Sequence, residues 1–284
     1  MLKKLKEKKS VKELLEFGII NIDKPSGPTS FDVSELVMKK FGLRKTSHFG
    51  TLDPKVTGVL PVATNRACKL TGYFLGEDKE YVGVMRIHKN ASIKEIEKAI
   101  KEKFTGKIIQ LPPVKSRVKR QEREREIKSF KILEKDGQNI LFRAEVQGGT
   151  YIRKLISDLG DYMKIGAHML ELRRVRAGIF KEETCINLYE FEEALKDEKK
   201  LKEIIIPGEI ITELHPMVKI KEKYAKKILH GSPIYFEYLS DEKDKNKKGV
   251  VCVFSADRFM GMFKTGKEKE IFARSEFVLQ PIKK

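Results

Sequence analysis

Apolar and polar positions change period several times along this chain, and each change marks an element. Residues 17–23 read as a short strand, and residues 80–87 alternate apolar and polar as a half-buried strand does. Two more runs, 126–133 and 140–146, flank Asp136-Gly137, which predicts a hairpin. Helical spacing of Val33, Leu36 and Val37 predicts a helix that Ser30 caps and that ends near residue 40. Ser92 followed by Glu95 is a capping box, opening a helix that ends near Phe104. Residues 64–75 predict another helix. After Gly148-Gly149-Thr150, the apolar face Ile152, Leu155, Ile156 and Leu159 predicts one more, with Thr150 as its N-cap. Residues 1–17 form a basic arm, helical or disordered. Beyond Ile206-Pro207-Gly208 the pattern turns to a short helix around 222–229 and several short strands, broken by the charged run 241–248. That change predicts a second, small β-rich domain from about residue 214. No internal repeat is visible.

With 284 residues the chain has room for one large domain and a small one. It has no apolar run of membrane-spanning length, and the charged start from Met1 to Lys9 lacks the apolar stretch of a signal peptide. Cys68, Cys185 and Cys252 lie far apart with no metal-ligand spacing, which fits reduced thiols in a cytosolic-type compartment. Charge adds more. Lys and Arg total 59 against 41 acids, a net +18. Ion pairing of the kind found in proteins from hot environments does not require such an excess. A polyanionic partner does, and nucleic acid is favoured over membrane because no basic amphipathic anchor stands out.

The candidate chemistry centres on Asp53. Gly50 and Pro54 predict a tight turn that holds this carboxylate on a rigid loop at the mouth of the apolar run from Val56. An isolated Asp-Pro is an ordinary turn; a rigid loop presenting one acid is also what nucleophilic chemistry needs. The neighbouring motifs decide between the two.

In order along the chain stand Asp23-Lys24-Pro25-Ser26-Gly27-Pro28-Thr29-Ser30, the loop from His48 to Val62, Lys79-Glu80-Tyr81, Pro112-Pro113-Val114-Lys115-Ser116, Gly149-Thr150-Tyr151-Ile152-Arg153 and Glu171-Leu172-Arg173-Arg174. Together they resemble the TruB-type pseudouridine synthases. The wording of the first two is similar to the archaeal and eukaryotic, dyskerin-like branch. The resemblance covers about residues 18–180, with a weaker match to an RNA-binding PUA domain in the last 70 or so. It implies an α+β fold: a pseudouridine synthase domain with a mixed, largely antiparallel central sheet, plus a small β-rich PUA-like domain. The expected organisation is a basic arm at 1–17, a catalytic domain at 18–213 and the PUA-like domain at 214–284.

Converting uridine to pseudouridine breaks the N1–C1′ bond, turns the uracil and joins C5 to C1′. Neither redox change nor net hydrolysis occurs, so no metal or organic cofactor is expected. The resemblance assigns Asp53 as the nucleophile or base, with covalent and glycal routes both open. It assigns Arg153 as the cation that pairs with and orients Asp53. By position alone Arg153 is a surface arginine, although the first turn of a helix is the wrong end for a cation. Tyr81 lies in a strand, where an aromatic belongs to the core; the resemblance has its ring stack on a uracil flipped out of the RNA. Leu172 is core by default and closes the apolar side of the pocket by resemblance. His48 is either a satisfied structural residue or the group that fills the space of the flipped base. By the same resemblance, Lys24 with the Pro25 loop braces the floor of the site.

The segment 107–128 is similar to the flexible loop that closes over substrate RNA in this family. Lys115, Arg117, Lys119, Arg120, Arg123 and Arg125 outnumber Glu122, Glu124 and Glu126, which favours phosphate contact. His230-Gly231-Ser232-Pro233 loosely resembles the glycine turn of PUA domains. Ser47, Phe49 and Arg117 depart from the usual family pattern, and the N-terminal arm, which in the family packs on the PUA domain, is shorter than usual. Three roles follow as expectations. The first is the catalytic subunit of a guide-RNA-directed H/ACA-type complex acting on rRNA or tRNA with small accessory proteins. The second is a stand-alone tRNA T-loop enzyme, and the third a non-catalytic RNA-binding scaffold. The compartment is the cytoplasm of an archaeal-type cell, or the nucleolus of a eukaryote; no membrane is involved.

Overall fold

Two short helices, α1 (Leu2–Lys8) and α2 (Val11–Glu16), form the basic arm, so of its two expected states it is helical. Ser10 opens α2 with a capping box: its hydroxyl accepts the Glu13 amide, and the Glu13 carboxylate accepts the Ser10 amide. The structure is a computed structural model and describes residues 1–113, 118–266 and 268–281. Its backbone falls into two compact units, one of residues Ile19–Ile204 and one that joins Met1–Gly18 to Ile205–Lys284.

The larger unit is built on a mixed sheet. Its first strands are β1 (Gly18–Lys24), β2 (Thr46–His48) and β3 (Thr57–Thr64), with helix α3 (Ser30–Lys40) between β1 and β2. A 3-10 turn at Asn65–Leu70 and helix α4 (Thr71–Leu75) replace the single helix expected over 64–75. Next come β4 (Lys79–Ile87), α5 (Ile93–Lys103), β5 (Gly106–Gln110), β6 (Arg123–Asp136) and β7 (Asn139–Val146). Helix α6 (Ile152–Tyr162) leads to the long β8 (Ala167–Ala177), the short β9 (Phe180–Lys181), α7 (Leu188–Ala194) and α8 (Glu198–Ile204). Across the sheet the order is β1-β3-β8-β4-β7-β6-β5. β3 and β8 run parallel, with Gly58 opposite Arg174; β1–β3, β4–β8, β4–β7, β6–β7 and β5–β6 are antiparallel.

Local chemistry explains where these elements begin. The expected hairpin forms with Gly137 at φ +55°, the left-handed conformation its turn demands. Helix α3 starts one residue earlier than expected. Thr29, not Ser30, is the N-cap, because Asp32 stands three residues on and completes a capping box with it. Helix α6 starts one residue later, with Tyr151 as N-cap. Both the Thr150 amide and its hydroxyl donate to the Gln147 carbonyl, closing a turn instead of the helix end. The basic segment 107–128 is also less loop-like than expected: Lys107–Gln110 pair with Arg123–Glu126 as a β ladder.

In the other unit, β10 (Ile205–Pro207) precedes a curled sheet of β11 (Met217–Ile220), β12 (Ile234–Tyr235), β13 (Val250–Ser255), β14 (Arg258–Thr265) and β15 (Ile271–Val278), with helix α9 (Ala225–Leu229) after β11. Val218, Ile228, Val251, Phe263 and Phe272 are buried in its core. The arm belongs to it: Phe17 stacks on Phe259 with ring centroids 5.3 Å apart, and Lys8 pairs with Asp257 at 2.6 Å. Among the described residues, no helix is long and apolar enough to cross a membrane.

Candidate active site

Asp53 sits in the irregular loop between β2 and β3, and the flanking residues fix that loop rigidly. Gly50 (φ +106°) and Gly58 (φ +100°) bound it in left-handed conformations; a Cβ on Gly58 would lie 2.2 Å from the Arg174 carbonyl oxygen. Leu52 and Val56, on either side of Asp53, are buried anchors. Three polar side chains then hold the loop's own backbone. The Ser30 hydroxyl, wholly buried, accepts the Leu52 amide at 2.8 Å and donates to the Leu52 carbonyl at 3.0 Å. Lys24, also wholly buried, donates its three ammonium hydrogens to the carbonyls of Pro25, Pro28 and Pro54. Arg174, on β8, reaches both ends: Nη2 donates to the Gly50 carbonyl at 2.9 Å and Nε to that of Val59 at 2.8 Å.

Burial lowers the pKa of Lys24, while Asp32 and Asp53 pull the other way. Lys79, one strand across from Arg174, is buried too and donates to the carbonyls of Phe74, Leu75 and Glu77 at the end of α4. Burial first, then the Arg174 charge, brings its amine down to about 8. Behind the loop, Phe49 stacks on Phe74 at 4.6 Å and lies 5.8 Å from Phe180, an apolar floor.

The Asp53 carboxylate faces outward from this frame and meets Arg153 Nη2 at 2.8 Å. Arg153 stands in the first turn of α6, which carries no acidic residue there. Their side chains are 48% and 61% exposed, so the pair is worth only about 0–1 kcal/mol to the fold. Stability does not account for a cation held at the positive end of a helix to meet one carboxylate.

Tyr81 and Leu172 are each 8% exposed. Tyr81 on β4 lies opposite Arg174 on one side and Ala144 on the other; Leu172 lies opposite Gly83, whose missing side chain leaves room for the leucine. Alternation puts Lys79, Tyr81 and Gly83 on one face of β4 and Leu172 and Arg174 on the matching face of β8. The Arg174 side chain on that face reaches the Asp53 loop directly. His48 is held at both ring nitrogens, Nδ1 at 3.1 Å from the Ser34 hydroxyl and Nε2 at 3.1 Å from that of Thr51. Because the Ser34 hydroxyl donates to the Ser30 carbonyl, it accepts from Nδ1–H, and Thr51 donates to Nε2. Burial first, then the nearby Arg174 charge, lowers the His48 pKa and so disfavours the charged ring.

Lys119 and Arg120 are exposed in the connection between β5 and β6, while Lys115 and Arg117 lie outside the described residues. Ser30, Ser34 and Arg174 escaped the reading of the chain as site residues. Ser30 satisfies the local rule for an N-cap, which points to the helix end and not to the loop, and no periodicity foretells an arginine buried at 1% exposure. In the smaller unit, Lys223, Lys226, Lys227, His230, Gly231 and Ser232 line a basic hollow of about 750 Å³.

Two family models match this chain: the TruB family pseudouridylate synthase N-terminal domain over residues 38–152, and the tRNA pseudouridylate synthase B C-terminal domain over 153–213. The "Probable tRNA pseudouridine synthase B" of Methanocaldococcus jannaschii is 43% identical over 248 residues, covering 85% of this chain and 72% of that protein. Its namesake in Thermococcus onnurineus is 44% identical over 235 residues, covering 80% and 70%. Among solved structures, a chain of a Cbf5-Nop10-Gar1 complex matches with TM-score 0.86 and 36% identity, covering 97% of this chain and 89% of that one. A chain of an H/ACA RNP bound to a substrate RNA containing 2'-deoxyuridine matches with TM-score 0.83 and 35% identity, covering 97% and 89%.

Proposed function

The chain belongs to the TruB family of pseudouridylate synthases, and on that premise we propose that its Asp53 is the carboxylate that converts uridine to pseudouridine in RNA. The observation that carries this role is the 2.8 Å pair of Asp53 with Arg153 above a loop whose backbone is tied down by Ser30, Lys24 and Arg174. In this reading a uridine is drawn out of its stack and received between Tyr81 and Leu172. Asp53 then acts at the sugar or as base while the N1–C1′ bond breaks; the uracil turns, C5 bonds to C1′, the C5 proton leaves and N1 gains one. Arg153 keeps the carboxylate aimed. His48, already held by Ser34 and Thr51, lies beside the loop as the group next to the vacated stack.

The partner we infer is RNA held largely through its phosphates by Lys119, Arg120 and, beyond them in the same segment, Lys115 and Arg117. Residues 214–284 act as a PUA-like RNA-binding domain whose basic hollow receives part of that RNA. Likeness to chains solved with Nop10, Gar1 and substrate RNA supports a guide-directed H/ACA-type assembly with small accessory proteins. A guide-free tRNA reaction is the second reading, favoured by the relatives named for tRNA.

The two separate in one assay. Purified protein is incubated with tRNA transcript alone, and in parallel with an H/ACA guide, its target and accessory proteins. Product only in the complete mixture supports the guided reading, and product with tRNA alone supports the second. Silence in both, with RNA still bound, would leave a scaffold.

A further inference from the structure

A second buried side chain treats Arg153 as Ser30 treats Asp53. Gln110, the last residue of β5, is 1% exposed. Its Oε1 accepts the Tyr151 amide at 3.0 Å, and its Nε2 donates to the Tyr151 carbonyl at 3.2 Å. Tyr151 is the N-cap of α6, with no side-chain cap of its own, and Arg153 follows two residues later. One amide side chain therefore grips both backbone groups of the residue from which the arginine's turn departs: it takes up the Tyr151 amide and adds a second donor to the Tyr151 carbonyl, which also accepts the Leu155 amide at 2.9 Å.

Other bonds stitch the same turn to the basic hairpin. The Gln147 amide donates to the Glu126 carbonyl, and the Glu126 amide to Gln147 Oε1. Arg125 Nε donates to the carbonyl of Gly149, which sits at φ +85° under that guanidinium. Both strands of the hairpin thus grip residues 147–151, β6 through exposed bonds and β5 through one buried amide. Gln110 is also the last residue of β5 before the connection that carries Lys119 and Arg120.

We propose that Gln110 is a positioning residue for the isomerisation, fixing the first turn of α6 so that Arg153 meets Asp53, and tying that turn to the RNA-facing hairpin. The inference rests on the catalytic reading of Asp53 and Arg153. It makes Gln110 act through Arg153 and never on the RNA.

The test is Gln110→Met, which keeps chain length and removes both hydrogen bonds, in the full-length protein with the RNA and proteins that support wild-type turnover. A displacement of the catalytic cation on the order of 1 Å lowers kcat by roughly 10- to 100-fold. KM should change less than about threefold, because phosphate contacts are untouched. In an Arg153→Ala background the same substitution should change kcat less than about twofold, since the residue it positions is gone. Equal losses in both backgrounds, or a rise in KM at constant kcat, would overturn the proposal. Gln110→Glu keeps the acceptor for the Tyr151 amide and should lose less kcat than Gln110→Met. If Gln110→Met does not fold, that variant carries the same cycle. Arg153 side-chain resonances report without any RNA: they should move in Gln110→Met, and unmoved resonances would overturn the proposal even if wild-type protein made no product. Wild-type silence with moved resonances would instead count against the catalytic reading.

Discussion

Replacing Ser30 with alanine removes one oxygen atom and leaves two buried backbone groups of Leu52 without partners. The Ser30 hydroxyl is the group that accepts the Leu52 amide at 2.8 Å and donates to its carbonyl at 3.0 Å, and both Ser30 and Leu52 are buried. Each orphaned group costs about 1–3 kcal/mol, so the pair predicts a loss near 2–4 kcal/mol once slight relaxation is allowed. Asp53 is the next residue, and its loop would lose the side-chain tie nearest to it while keeping those of Lys24 at Pro54 and Arg174 at Gly50. The same substitution should therefore lower kcat by roughly 10- to 100-fold while RNA affinity stays within about threefold. Urea unfolding gives the first number, and single-turnover kinetics with filter binding give the others. Ser34→Ala is the control: it removes a buried hydroxyl from the same helix that touches His48 and the Ser30 carbonyl but not the loop backbone. Its loss should be about half as large or less in both readouts. Wild-type stability and turnover in Ser30→Ala would refute the idea that this hydroxyl holds the Asp53 loop, as would equal losses in the two variants.

Arg153→Ala should lower kcat by about 100-fold yet change unfolding free energy by less than ~1 kcal/mol, because the pair with Asp53 is half exposed; a large stability loss would make it a structural bridge instead. Gly58→Ala forces a Cβ to 2.2 Å from the Arg174 carbonyl at φ +100°, and should cost on the order of 3 kcal/mol in urea unfolding. Lys79 gives a pH signature. Its folded amine titrates near 8 and its unfolded amine near 10.5, so between those values the unfolded chain binds more protons and stability rises with pH. Relative to Lys79→Met, wild type should gain ~2 kcal/mol from about pH 7.5 to about pH 9.5; a flat difference would show that the amine is not depressed.

Elements with a local signature were legible in the chain, and those held by distant partners were not. Asp136-Gly137 between two alternating runs marked its hairpin, and Ser92 with Glu95 marked the start of α5, because turn and cap chemistry is complete within a few residues. Thr29 and Ser30 can each cap a helix; Asp32 decides for Thr29 and frees the serine for the loop. The hairpin of β5 and β6 was read as a flexible basic loop. Its inner strand begins Arg123-Glu124-Arg125-Glu126, which alternates charge sign and not polarity, so this ladder against the edge strand β5 leaves no apolar period to find. Asp53, Tyr81, Arg153 and Leu172 could be named from motifs, and the ion pair of Asp53 with Arg153 was expected across 100 residues by resemblance alone. The groups that hold them were not nameable: Gln110 and Tyr151 are 41 residues apart, and Arg174 and Gly50 are 124 apart. Backbone clamps of that span carry no local pattern.

Asp53→Asn tests the central claim most directly, since it keeps the size of the side chain and one acceptor oxygen while removing the charge. RNA that wild-type protein modifies is incubated with each form, and pseudouridine is counted by mass spectrometry of the digested product. The account predicts loss of product to background with RNA affinity within a few fold of wild type. Pseudouridine formed by the variant at the wild-type rate would contradict it, as would a collapse of binding together with activity.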